Sequence, residues 1–184
     1  MPRKKIVNKQ PTRLYCGLDL SLTATGVVII NQSGVVVHKQ VIKTKVRGME
    51  RLFVIRNIIA DIYKRFAINF TCVEGYSMGS RNGKAFDIGE LGGTIKLFLW
   101  SRKHDYYPIP PTQVKKYATG KGNGDKNKVM LAVFKEWQFE GTDDNEVDAF
   151  VLANIARAVK SNIVMRKYQA EAIISIRKEI NKGV

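Results

Sequence analysis

Residues 16–31, CGLDLSLTATGVVIIN, decide how the rest of the chain is read. Leu14, Cys16 and Leu18 alternate with Tyr15, Gly17 and Asp19, the period of two expected of a strand. Ser21 to Thr25 supplies turn chemistry, and Gly26-Val27-Val28-Ile29-Ile30 is β-branched enough for a buried second strand. One carboxylate, Asp19, stands near the end of the first strand, where a metal or a phosphate can approach it. Read alone, it equally suits the residue that starts the turn. Further acids at the ends of later elements weigh toward the first reading.

Working outward, a basic arm precedes the first strand (about 13–20), and the second strand covers about 25–31. Gln32-Ser33-Gly34 is a hairpin turn, and Val35 to Ile42 returns as a third strand, so the three form an antiparallel meander. From Gly48 to Phe66 the period becomes helical, with Leu52, Ile55, Ile59, Ile62 and Phe66 on one face. Asn69 to Gly75 is a short fourth strand with Glu74 at its end. Tyr76 to Ala85, YSMGSRNGKA, is a loop rich in Gly, Ser and bases, among them Arg81 and Lys84.

A helix follows over Phe86 to Arg102. Gly89, Gly92 and Gly93 inside it each cost up to about 1 kcal/mol relative to Ala, which close packing would offset. Leu91, Ile95 and Leu99 form an apolar stripe there, suited to a second subunit or to the sheet. Tyr106 to Ile109 is a fifth strand, followed by a short helix (about 111–118) and the loop Gly120-Lys121-Gly122-Asn123-Gly124. A helix over 125–137 starts at the N-cap Asp125, and another covers 142–160. This order predicts an α/β fold of ribonuclease H-like type: a mixed five-stranded sheet with helices on both faces. The expected division is a basic arm (1–13), a ribonuclease H-like core domain (14–160) and a basic helix or tail (161–184).

Charge narrows the function. The 184 residues hold 31 Lys+Arg against 16 Asp+Glu, a net +15, with five bases and no acid in the first 13. An excess spread through core and tails points to a polyanionic partner, most simply nucleic acid. No apolar run reaches the ~18 residues of a membrane span, and the basic start lacks the apolar core of a secretion signal. Cys16 and Cys72 lie inside strand patterns and read as core thiols of a reducing compartment, not as a zinc site. A cytoplasmic setting is the expectation.

The carboxylates supply the chemistry. Asp144 and Asp148 are four apart and share a helix face. Turned toward the strand ends, that face gathers Asp19, Glu74, Asp144 and Asp148 around one point. Four like charges there oppose folding unless a hard divalent cation such as Mg²⁺ relieves them. A pair of such ions is a standard arrangement for in-line phosphodiester hydrolysis. Asp143 or Thr142 reads as the helix cap, and Glu146 as solvated. The glycine loop between Lys115 and Lys126 suits either backbone approach to a phosphate or a flexible connection, with Lys121 inside it. Tyr76 suits either stacking on an unpaired base or covering the core.

Four segments together carry a resemblance. GLDLSLTATGVVI, VEGYSMG, PPTQVKKYATGKGNGDKNKV and DDNEVDAFVLANIA resemble, in order, the motifs of the RuvC family of Holliday junction resolvases. The likeness runs from about Tyr15 to Ala158. It implies a homodimer that cuts four-way and other branched DNA with Mg²⁺, with Mn²⁺ as a substitute. Its metal ligands fall on Asp19, Glu74 and Asp148, and its two important lysines on Lys115 and Lys126. Tyr76, Arg81, Lys84 and Lys121 are the expected DNA contacts. Two departures stand out. Asn145 occupies the position where bacterial members often carry a ligand, so Asp144, at the spacing of mitochondrial-type relatives, is taken as the fourth. The aromatic wedge of bacterial members falls on Ser77, leaving Tyr76 or Met78 to replace it. The alternatives are a non-catalytic branched-DNA-binding protein of the same fold and, less in keeping with the chain length, an actin-like phosphotransferase. The small size and basic tails suit a phage-encoded member.

Overall fold

The computed structural model describes residues 12–76 and 84–182, the side chain of Lys84 excepted. Three strands open the chain: β1 (Leu14–Asp19), β2 (Thr25–Asn31) and β3 (Val36–Ile42). Then come α1 (Gly48–Arg65), β4 (Ile68–Glu74), α2 (Lys84–Ser101) and β5 (Tyr106–Ile109). Four helices close it: α3 (Pro111–Thr119), α4 (Lys126–Trp137), α5 (Asp144–Lys160) and α6 (Lys167–Lys182). The strands lie in the order β3-β2-β1-β4-β5, antiparallel across β1, β2 and β3 and parallel across β1, β4 and β5. This is the mixed five-stranded α/β sheet expected from the strand and helix periods.

β1 lies at the centre, and its alternation divides the interior. Tyr15 joins Val28, Phe70 and Cys72 beneath α3 to α6, whereas Cys16 and Leu18 join Val27, Ile55 and Ile95 beneath α1 and α2. Cys16 and Cys72 therefore sit on opposite faces, both buried and free. Burial pushes the Cys16 thiol up to about 12, an inert core group rather than a nucleophile.

The parallel register pairs Leu18 with Val73, so the next residues, Asp19 and Glu74, end neighbouring strands at one edge of the sheet. α5 crosses that sheet in direct backbone contact. A side chain at Gly17 would overlap the Ala149 carbonyl and come within 2.8 Å of Leu152 Cβ; one at Gly26 would overlap the Asn145 carbonyl. Asp143 caps this helix, accepting from the Glu146 N–H at 3.0 Å, and Asp125 caps α4, accepting from the Lys128 N–H at 2.9 Å. Both caps satisfy first-turn donors that would otherwise lack partners.

The segment after α5 is a packed helix. α6 buries Gln169, Ala172, Ile173 and Ile176. Its Arg177 donates to the carbonyls of Ala158 (2.7 Å), Val159 (3.1 Å) and Ser161 (3.3 Å), closing the end of α5. Among the described residues no helix is long and apolar enough to cross a membrane.

One expectation changes, and one alternative left open is decided. Glu146 is not solvated: it is 3% exposed, accepts from the Thr142 N–H at 2.6 Å and meets Lys39 Nζ at 3.4 Å. It folds back over its own helix start, where the N–H just before the cap and Lys39 of β3 satisfy it together. In α2, Leu91, Ile95 and Leu99 are fully buried beneath the helix and leave nothing for a second subunit. The outward residues are Phe86, Leu97 and Trp100.

Candidate active site

The turn after β1 closes without Asp19. Thr25 Oγ1 donates to the Ser21 carbonyl at 2.7 Å and accepts from the Ser21 N–H at 3.1 Å, while Ser21 Oγ accepts from the Thr23 N–H. The Asp19 carboxylate is left to face a cleft. Asn145, with its amide nitrogen turned toward β1, donates to Asp19 Oδ2 at 3.2 Å and to the Ala24 carbonyl at 3.2 Å. It aims the acid from the first turn of α5.

The cleft, about 530 Å³, is lined by all four acids: Asp19, Glu74, Asp144 and Asp148. Three elements supply them: β1, β4 and, one turn apart, α5. Lys115 on α3 and Lys126 at the start of α4 line the same cleft. Lys126 ion-pairs with Asp144, which raises its pKa.

The crowding of negative charge shows in the acids. Asp19 is 5% exposed, and its pKa is raised well above 3.8, first by burial, then by the Glu74 carboxyl, then by Asp148 and Asp144. Asp148 is pushed up to about 7 by burial, with Glu74 and Asp144 adding to it and Lys126 and Lys115 opposing. Low-dielectric surroundings and like charges both disfavour the ionised forms. The group therefore lacks positive charge.

Carboxylate oxygens, with no imidazole or thiolate among them, are the donor set of hard cations of the Mg²⁺ type. The residues fit such an ion in chemistry. Among the described residues no three acidic, His or Cys side chains are drawn into a closed ligand cage; the acids line an open cleft with Lys126 lying against Asp144.

Of the other expected contacts, Tyr76 lines the cleft, and Lys121 is exposed just beyond α3. Arg81, Ser77 and Met78 lie outside the described residues; Lys84 opens α2, but its side chain lies outside them too. Sequence reasoning passed over Asn145 as a donor to Asp19, and Gly17 and Gly26 as the bare patches on which α5 rests. Glycine inside a strand pattern was the available signal for the latter, since it marks close backbone approach. No local pattern marks Asn145, whose partner is 126 positions away.

Known proteins bear on this arrangement. At 28% identity over 144 residues, the chain matches a crossover junction endodeoxyribonuclease RuvC of Prochlorococcus marinus (strain NATL1A), covering 74% of this chain and 93% of the relative. A protein of the same description from Rhodopirellula baltica is 28% identical over 137 residues, covering 70% of this chain and 77% of that one. Among solved structures, Thermus thermophilus RuvC in complex with a Holliday junction substrate superposes with a TM-score of 0.65 at 20% identity, over 77% of this chain and 90% of that one. The yeast mitochondrial Holliday junction resolvase Ydc2 superposes with a TM-score of 0.56 at 10% identity, over 92% of this chain and 83% of that one. At these identities the two structures show a shared fold. The model of the family described as crossover junction endodeoxyribonuclease RuvC matches residues 15–156, a span that begins in β1, ends in α5 and contains every acid and lysine of the cleft. This chain belongs to the RuvC family.

Proposed function

We propose that the chain resolves four-way and other branched DNA junctions by hydrolysing a phosphodiester bond in the acidic cleft. Membership of the crossover junction endodeoxyribonuclease family makes it a junction-resolving endonuclease. The observation that carries the site is the convergence of Asp19, Glu74, Asp144 and Asp148 opposite Lys115 and Lys126, on a chain of net charge +15.

Enzymes of this family depend on a metal, and the acids are the residues that would hold it, Mg²⁺ with Mn²⁺ as a substitute. Bound there, a pair of such ions would supply the positive charge that activates the attacking water and stabilises the leaving 3′ oxygen. The chain's own residues do the rest. Asn145 holds Asp19 in one orientation, while the rigid first turn of α5 presents Asp144 and Asp148. Lys115 and Lys126 meet the scissile phosphate and stabilise charge that grows in the transition state. For that, the pair between Lys126 and Asp144 opens, freeing the acid for a cation and the lysine for a phosphate. Arg81, Lys84 and Lys121 are the side chains offered to the DNA backbone. The basic arm (1–13) and the C-terminal segment (161–184) flank the nuclease domain (14–160) and add phosphate attraction.

The working form is a homodimer. Leu97 on α2 is 63% exposed and, with Met49 and Phe53 of α1, borders an apolar groove of about 510 Å³; Trp100, 71% exposed, stands outward on the same helix. A contiguous face of this kind suits a second copy.

The test is cleavage of labelled four-way, three-way and linear DNA with and without Mg²⁺. Asp19→Asn, Glu74→Gln or Asp148→Asn should abolish cutting while junction binding stays near normal. A variant that cuts like the wild type removes its residue from the site. Wild-type protein that binds junctions in Mg²⁺ or Mn²⁺ and cuts none would be a binding protein of this fold.

A further inference from the structure

Tyr76, two residues past Glu74, is not a free aromatic at the mouth of the cleft. Its hydroxyl donates to the Gly89 carbonyl of α2 at 3.2 Å. Lys96 Nζ lies 4.4 Å from the centre of its ring. The ring rests on Gly92: a Cβ there would stand 2.9 Å from Cε1 and Cζ, and closer still to the hydroxyl. A side chain there would force the Tyr76 ring to swing off this seat, since the crowded atoms are the far end of a side chain that can move. Gly93, the next residue, meets nothing within 4 Å of such a Cβ. The two adjacent glycines therefore differ, and only Gly92 is required by its neighbour.

On the other side of Glu74, the Gly75 N–H donates to the Ile109 carbonyl at 2.7 Å, extending the β4–β5 ladder by one bond. Glu74 thus leaves its strand between two anchors, β5 through Gly75 and α2 through Tyr76. We propose that Tyr76 is a positioning residue for Glu74, a latch seated on Gly92 that fixes the chain just beyond β4 and holds the α2 wall of the cleft. This rests on the reading of the cleft as the site of hydrolysis. A base-stacking aromatic needs a free face and a free edge. Here the hydroxyl is bound and an ammonium group lies against the ring, although the residue as a whole is 46% exposed.

The test uses the full chain and five variants: Gly92→Ala, Gly93→Ala, Tyr76→Ala, Tyr76→Phe and the double variant Gly92→Ala/Tyr76→Ala. Two measurements are made on each. One is the backbone amide resonances of Glu74 and Gly75 in NMR spectra without DNA. The other is the single-turnover rate at saturating four-way junction, with the junction affinity beside it. Gly92→Ala and Tyr76→Ala should each move the amides and lower the saturated rate by roughly tenfold or more, the scale of a small misplacement of a reacting group. Affinity should stay within about twofold. Tyr76→Phe, which loses only the bond to Gly89, should do the same to a lesser degree. Gly93→Ala should change neither measurement. In the double variant the alanine at position 92 should add nothing to the loss from Tyr76→Ala.

The latch is wrong if Gly92→Ala behaves like Gly93→Ala. It is also wrong if position 92 costs as much without the tyrosine as with it, the mark of general helix damage. Loss of junction affinity at an unchanged saturated rate in Tyr76→Ala would make the tyrosine a DNA contact instead. Should Gly92→Ala fail to fold, the two Tyr76 variants decide by the same amides. A wild-type chain that cuts no junction refutes hydrolysis in the cleft, while the amide pattern still decides the latch.

Discussion

The two faces of the sheet are covered in different ways. On one, α5 lies so close that backbone meets backbone at Gly17 and Gly26, and eleven of its 17 residues are buried. On the other, α1 and α2 pack through Leu52, Ile55, Ile59, Leu91, Ile95 and Leu99, and turn Met49, Phe53, Leu97 and Trp100 outward. At those two glycines the first face has no side chain between helix and strand that could adjust, and it carries Asp144, Asn145 and Asp148. The second has an adaptable layer of aliphatic side chains and an apolar exterior. Where the acids meet, the fold uses backbone contacts that cannot slip; on the other face it leaves apolar surface.

The strongest way to break this comparison is Gly17→Ala. One methyl between β1 and α5 should cost about 3 kcal/mol, the upper range for overpacking a core, since a carbonyl rather than a side chain must give way. Urea denaturation measures it. A loss below about 1 kcal/mol would show that α5 is less tightly placed than the backbone contacts indicate.

Lys115→Ala and Lys126→Ala probe what that placement is for. Each should lower the single-turnover rate on the order of 10- to 100-fold at nearly constant junction affinity. Lys4→Ala in the basic arm should instead weaken binding and flatten its salt dependence. If both cleft lysines follow the arm's pattern, they attract DNA and take no part in the chemistry.

The acids also set a pH dependence. Burial, with Glu74 and Asp144 beside it, pushes Asp148 up to about 7 in the folded chain, against an ordinary 3.8. Between those values the native state holds a proton that the unfolded state has lost, so stability falls as pH rises. That contribution is complete below the ordinary value and gone once pH passes through the folded one; Asp19 acts in the same direction. Without divalent cations, Tm should be higher near about pH 5 than near about pH 8, and Mg²⁺ should restore most at the higher pH. A Tm that is flat over this range, or rises, would show the acids to be further apart than the cleft places them.

The smallest effect on the monomer belongs to the other face. Trp100→Ser with Leu97→Ser should change monomer stability by only about 0.5 kcal/mol, since both side chains stand in solvent. Light scattering should nonetheless show the dimer lost. A wild-type monomer at assay concentrations removes the homodimer from the proposal.

Much of this was legible in the sequence because it is local. The period of two in Leu14–Asp19, the helical period after Gly48 and the caps Asp125 and Asp143 each follow from residues a few positions apart. So does the pairing of Asp144 with Asp148 on one helix face, and strand ends ordered this way already suggested that Asp19 and Glu74 would join them. What depends on long-range packing was not legible. The parallel register that puts Asp19 beside Glu74 is decided by β1 pairing with β4 across some 50 residues of chain. Glu146 is buried because Lys39 of a distant strand meets it, and Asn145 reaches Asp19 because two glycines let α5 descend onto the sheet. Gly92 and Gly93 are indistinguishable as neighbours in a string, and only the arrival of Tyr76 separates them. Composition and period determine which elements form and which residues are candidates. Which candidates meet is settled by close packing between surfaces far apart in the chain, where a single methyl group decides whether two backbones can touch.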